Sequence, residues 1–143
     1  LRNRTGVEQR LFAYRTINLL LLAVFIGVFV YSLSFSPNQH PIPSFFTDIS
    51  GINSPSKGLS AAFSEMVKGN YAEAHRYNPY VLQIFSFFAL QLILRLFFLL
   101  VIRLKAKHLL TTILVDVVVS LLFFLWCFAP FILFTLKLFF NSF

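Results

Sequence analysis

Charge is what this chain has least of. Only 12% of its 143 residues are charged, and five of them are acidic. A soluble globular domain carries about 25%. A single cysteine, Cys127, excludes an internal disulfide and gives no sign of redox compartment. Five glycines leave no phosphate-cradling loop. The three histidines, His40, His75 and His108, lack HExxH or other ligand spacing, so no metal is expected. Ser and Asp form no nucleophile elbow or triad pattern. Enzyme activity therefore has no positive support, and no cofactor is called for.

Phenylalanine is abundant instead: 20 residues, in a chain that is 58% hydrophobic with mean hydropathy +0.79. The apolar residues cluster into long runs, as a chain solvated by a bilayer requires. One domain is the natural count at this length. The first residue is Leu, so the natural start is expected upstream or to have been trimmed.

The runs define an all-α membrane protein with three transmembrane helices. Residues 1–16 form a basic arm with Arg2, Arg4, Arg10 and Arg15 against Glu8. The first crossing spans 17–35, enough for roughly 30 Å of hydrocarbon. A signal peptide is the competing reading, with Ser32-Leu33-Ser34 as its small-x-small site. A retained helix is the reading adopted.

Residues 36–78 form an outer loop followed by a helix pair. Ser36-Pro37-Asn38 and Pro41-Ile42-Pro43 stop helix continuation. Ser54-Pro55 fits an N-cap with Pro in the first turn. Leu59, Ala62, Phe63 and Met66 make one apolar stripe, with Ser60, Ser64 and Lys68 on other faces. Gly69-Asn70 ends that helix, and Asn70 with Glu73 resembles a capping box for a second. The pair is amphipathic, suited to the membrane surface or to packing on its own protein. Asn78-Pro79 opens the second crossing, 79–102. A loop at 103–108 leads to the third, 109–136, where Ala129-Pro130 is expected to kink or end the helix. Lys137 and Asn141 suggest an outer tail, 137–143. Tyr77, Tyr80 and Trp126 are placed at the outer interface. Basic residues favour the cytoplasmic side, which puts the N-terminus and the 103–108 loop inside.

Arg95 and Asp116 each lie inside an apolar run, eight residues from the Arg103-Leu104-Lys105-Ala106-Lys107-His108 loop. In an antiparallel hairpin both reach the same depth, about 12 Å in. Ionisable groups in hydrocarbon usually face a partner. Gln91 is four residues before Arg95, and Ser120 four after Asp116, so each shares a face with its charged neighbour. The expected seam is Arg95/Asp116 with Gln91/Ser120. Interhelical glue is the ordinary role of such groups. Snorkelling of Arg95, pairing with another subunit, and a transport or proton relay are the alternatives. Asn18 is read as lying at the watery inner edge of the first crossing.

The stretch Ser54-Pro55-Ser56-Lys57-Gly58-Leu59-Ser60-Ala61-Ala62-Phe63, then Lys68-Gly69-Asn70 and Arg76-Tyr77-Asn78-Pro79, resembles a bacterial family of small inner-membrane proteins. That family is catalogued as a domain of unknown function. Its pattern is C-P-x-C-G-x-T-R-A, a short helix, a Gly-Asp/Asn turn, and Y-N-P opening a transmembrane helix. Pro55, Gly58, Ser60, Ala62, Gly69, Asn70, Tyr77, Asn78 and Pro79 match. Ser54 and Lys57 stand at the cysteine positions, and Ala61 at the arginine. The resemblance covers about 40 residues and implies a bacterial inner-membrane location. Any metal or thiol chemistry of the family is absent from this member.

The expected role is a non-catalytic integral subunit or accessory protein of a larger bacterial membrane complex, acting by helix–helix packing. A small transporter or channel component using Arg95 and Asp116 is one alternative. A lipid-handling membrane enzyme, with Glu73, His75 and Arg76 over a headgroup, is another. The expected partners are other integral membrane proteins and lipids, not nucleic acid, because the basic residues flank apolar runs.

Overall fold

The computed structural model describes residues 2–36, 55–104 and 108–141. Among these, the elements are α1 (Arg2–Ser34), α2 (Leu59–Val67), α3 (Tyr71–Tyr77), α4 (Val81–Leu104) and α5 (Leu109–Asn141). The protein is all-α. Three helices, α1, α4 and α5, are long and apolar enough to cross a membrane, and two shorter ones lie between the first and second. The calls on Ser54, on His40 and on the 37–53 loop fall outside the described residues.

α4 is the central element. α1 and α5 both pack against it, and α2 and α3 cover the end where Val81 lies, the outer end in the expected orientation. Two apolar cores result. The outer one gathers Ala62, Phe63, Met66, Ala74, Val81 and Ile84, with Val28, Phe85, Phe88 and Phe131 against it. The inner one gathers Tyr14, Phe98, Ile102 and Leu109, with Leu11, Leu94 and Ile113. Between them the helices meet largely through aromatic edges: Phe25 to Phe88 at 5.6 Å and Phe87 to Phe128 at 5.2 Å between ring centroids. Such edge-to-face pairs place a positive ring edge on a negative ring face.

The stripe predicted on α2 is used inside the protein. Ala62, Phe63 and Met66 are buried. They pack on α4 rather than facing a membrane surface. Ser64, expected on another face, is also buried.

Three boundaries and one cap differ from expectation. The arm at 1–16 is not separate, because α1 begins at Arg2. No proline interrupts that stretch, and Leu11 and Tyr14 rest on the inner core. α2 begins at Leu59 after a turn over residues 55–58, with Gly58 at its N-cap position. Asn70 does precede α3, but its side chain makes no cap bond. Its Nδ2 instead donates to Glu65 Oε2 at 2.6 Å, while Glu73 pairs with Arg76 at 2.7 Å. Finally, α5 runs through Pro130 to Asn141, so Lys137 is helical and does not start a tail. Pro130 has no N–H to donate to the Trp126 carbonyl, a loss that transmembrane helices commonly tolerate.

Candidate functional site: an intramembrane polar node

The antiparallel turn between α4 and α5 brings Arg95 and Asp116 to one level, as their equal spacing from the loop predicts. Both are buried, with 4% and 2% of their surface exposed. The pairing is bidentate. Arg95 Nη1 donates to Asp116 Oδ2 at 2.8 Å, and Arg95 Nη2 donates to Asp116 Oδ1. Such a fork-on-carboxylate arrangement fixes orientation as well as supplying attraction. Snorkelling is excluded for Arg95, since its guanidinium is spent inside the bundle.

The predicted second layer is also assembled. Gln91 Oε1 accepts from Arg95 Nη2 at 3.1 Å. Ser120 Oγ lies 2.8 Å from Arg95 Nη2 and donates to Asp116 Oδ1 at 3.2 Å. Ser120 Oγ and Gln91 Oε1 are 3.4 Å apart.

Two members come from α1 and were not assigned to the node by sequence reasoning. Tyr14 donates its hydroxyl to Asp116 Oδ2 at 2.5 Å. Asn18 Oδ1 accepts from Arg95 Nη1 at 2.9 Å, and Asn18 Nδ2 donates to the Tyr14 carbonyl at 2.9 Å. Asn18 is fully buried, not a water-edge residue. The available signal was their spacing: Tyr14 and Asn18 are four apart, so they share a helix face. What hid it was the assumption that the helix began at residue 17.

Two buried donors in the node find no acceptor, Gln91 Nε2 and Arg95 Nε. Gln91 and Arg95, with Asn18, Asp116 and Ser120, line a groove of about 500 Å³ between α1 and α5. Its rim residues Ile17, Val117 and Leu121 are each more than half exposed, so it opens on the side of the bundle. Towards the outer side the groove becomes aromatic, with Phe25, Phe87 and Phe124. In that direction α1 and α5 offer no further oxygen-bearing side chain until Tyr31 and Thr135.

A second constellation closes the outer end. Asn78 Nδ2 donates to the carbonyls of Pro55 at 2.7 Å and Lys57 at 2.9 Å, and its Oδ1 accepts the Tyr80 N–H at 2.8 Å. One side chain thus caps the start of α4 and clasps the turn before α2. Gly58 sits at φ 73°, and a Cβ there would lie 2.5 Å from the Tyr77 carbonyl oxygen. Glycine is required by both the dihedral and the close approach. Gly69, at φ 83°, ends α2 as expected. Pro79 lies in the turn ahead of α4. Tyr80 and Trp126 border one outer groove with Pro130 and Lys137. Tyr77 and Trp126 are exposed.

Among the described residues no cluster of three His, Cys, Asp or Glu side chains forms. Cys127 is buried. His75 is exposed beside the Glu73–Arg76 pair. Comparison with protein-family models, curated proteins and solved structures finds no match for the chain.

Proposed function

We propose that this chain is a non-catalytic membrane component that works through helix packing within a larger bacterial membrane assembly. The observation that carries this reading is that groups from all three spans converge on the Arg95–Asp116 pair and fill both carboxylate oxygens of Asp116. A carboxylate engaged this way is a lock between helices rather than a free proton carrier. The side groove, with polar atoms on its floor, is where a partner's transmembrane helix would pack. A photocrosslinking residue at Ile17 or Val117 is expected to capture a second membrane polypeptide, while one at Leu110 does not. Equal capture at all three, or none, with the chain running alone in mild detergent, overturns the reading.

A second reading is favoured by one observation that inert packing leaves unexplained: Gln91 Nε2 is buried without an acceptor on the groove's floor. Here the chain is a transporter or channel component, and Arg95, Asp116, Gln91 and Ser120 line part of a path completed by another protein. Solute or ion flux lost in both Asp116→Asn and Arg95→Gln, at unchanged membrane abundance, selects it. A lipid-handling enzyme has less support, because Glu73 and Arg76 neutralise one another.

Membership of the small inner-membrane family is proposed on the clasp. Among the residues matching the family pattern, Pro55, Gly58, Tyr77 and Asn78 meet in space, and Lys57, at one cysteine position, takes part in that contact through its backbone carbonyl. This likeness also supports a bacterial inner-membrane location with the basic arm and the 103–108 loop in the cytoplasm.

A further inference from the structure

The node's acceptors are used up, but its donors are not. Each carboxylate oxygen of Asp116 already accepts two bonds. Gln91 Nε2 and Arg95 Nε have no acceptor, on side chains that are 3% and 4% exposed. A buried donor left in that state is costly. Gln91 lies twelve residues before Arg103, about 18 Å along α4. That is near the middle of roughly 30 Å of hydrocarbon. Neither lipid ester carbonyls nor interfacial water lie at that depth. Both side chains line the side groove, whose mouth passes Ile17, Val117 and Leu121.

We infer that the groove receives a partner's transmembrane helix bearing one neutral carboxamide, Asn or Gln, whose carbonyl oxygen accepts from Gln91 Nε2. The inference rests on the proposed assembly and names the chemistry its partner carries. Neutrality follows from charge. Arg95 and Asp116 already cancel, and an added ion would stand unpaired in hydrocarbon. A helix uses its backbone carbonyls internally, so the acceptor is a side chain. Serine and threonine reach less far: here Ser32, Ser34, Thr112 and Thr135 each turn back to the carbonyl four residues earlier. A second copy of this chain does not supply the group. Within its spans Asn18 and Gln91 are buried in the node, and Gln83 Oε1 is buried in its own chain. The Gln91 amide meets the incoming oxygen by turning about its terminal torsion, which is broad.

The test uses the full chain in phosphatidylcholine vesicles, with a donor dye on Lys68→Cys in the Cys127→Ser background. The probe is a synthetic Leu/Ala transmembrane helix with an acceptor dye and one Gln at its midpoint, kept too dilute to pair with itself. Energy transfer measures binding. The Gln helix is expected to bind about tenfold more tightly than the same helix with Leu at the midpoint. Gln91→Met keeps the side chain's length and removes the amide, so the two helices should then bind alike. Val117→Trp narrows the groove's mouth at an exposed position, leaves the node intact, and should weaken the Gln helix. Circular dichroism checks the fold of both variants, and Val117→Trp keeps the test decisive where Gln91→Met does not fold. If both helices bind the unaltered groove alike, the acceptor inference falls while the assembly stands. If neither binds, the inference falls, and crosslinking at Ile17 and Val117 judges the assembly separately. A preference that survives Gln91→Met, binding unchanged by Val117→Trp, or displacement of the Gln helix by a short-chain quinone with its own carbonyl acceptors also overturns it.

Discussion

Asp116 accepts two hydrogen bonds on each carboxylate oxygen, from Tyr14 and Arg95 on one and from Arg95 and Ser120 on the other. Removing one charge strands the other in low dielectric, which is worse than removing both. Asp116→Ala is therefore expected to destabilise the bundle by about 3–5 kcal/mol. The double change Asp116→Leu with Arg95→Met should cost distinctly less. Unfolding in mixed dodecyl sulfate micelles, followed by fluorescence of the single Trp126, measures both. Additive single and double effects would count against pairing. Tyr14→Phe removes one donor and leaves the ion pair, so its cost should be about 1 kcal/mol in the same assay.

At the scale of elements, the outer clasp and the central helix make separate predictions. Gly58→Ala pushes a methyl group into the Tyr77 carbonyl and strains a left-handed residue. Asn78→Leu removes the bonds to Pro55 and Lys57. Both release the same turn, so their combined effect should fall well short of the sum. Exchange of the backbone amides of α2 should report it, with α5 unaffected. Phe63→Ala should cost about 3–5 kcal/mol, because its ring meets Phe85 and Phe88 edge-on in the outer core. A cost near zero would return α2 to the membrane surface.

For the whole molecule, topology is the measurable quantity. With Cys127→Ser as background, Glu8→Cys and Arg103→Cys should label from one side of the membrane and Lys68→Cys only from the other. Labelling of Glu8→Cys and Lys68→Cys from one side would contradict three crossings. The hairpin itself was legible before any coordinates. The charge spacing around 103–108 gave the depth of Arg95 and Asp116, and the i,i+4 spacing gave Gln91 and Ser120 their places. The Y-N-P stretch marked the start of α4, though not the clasp, because the carbonyls Asn78 holds are more than twenty residues away in sequence.

Hydropathy and charge placement are local properties of the chain, so the amino-acid sequence alone determined the three spans, their order and the level of the ion pair. Which third helix reaches that pair is not local. It depends on α1 continuing helically back to Arg2 and on the rotation that turns Tyr14 and Asn18 towards α4, and packing sets both. The same holds for the side groove: a groove is the space that neighbouring helices leave between them, and only their tertiary arrangement decides where it opens and which side chains form its floor.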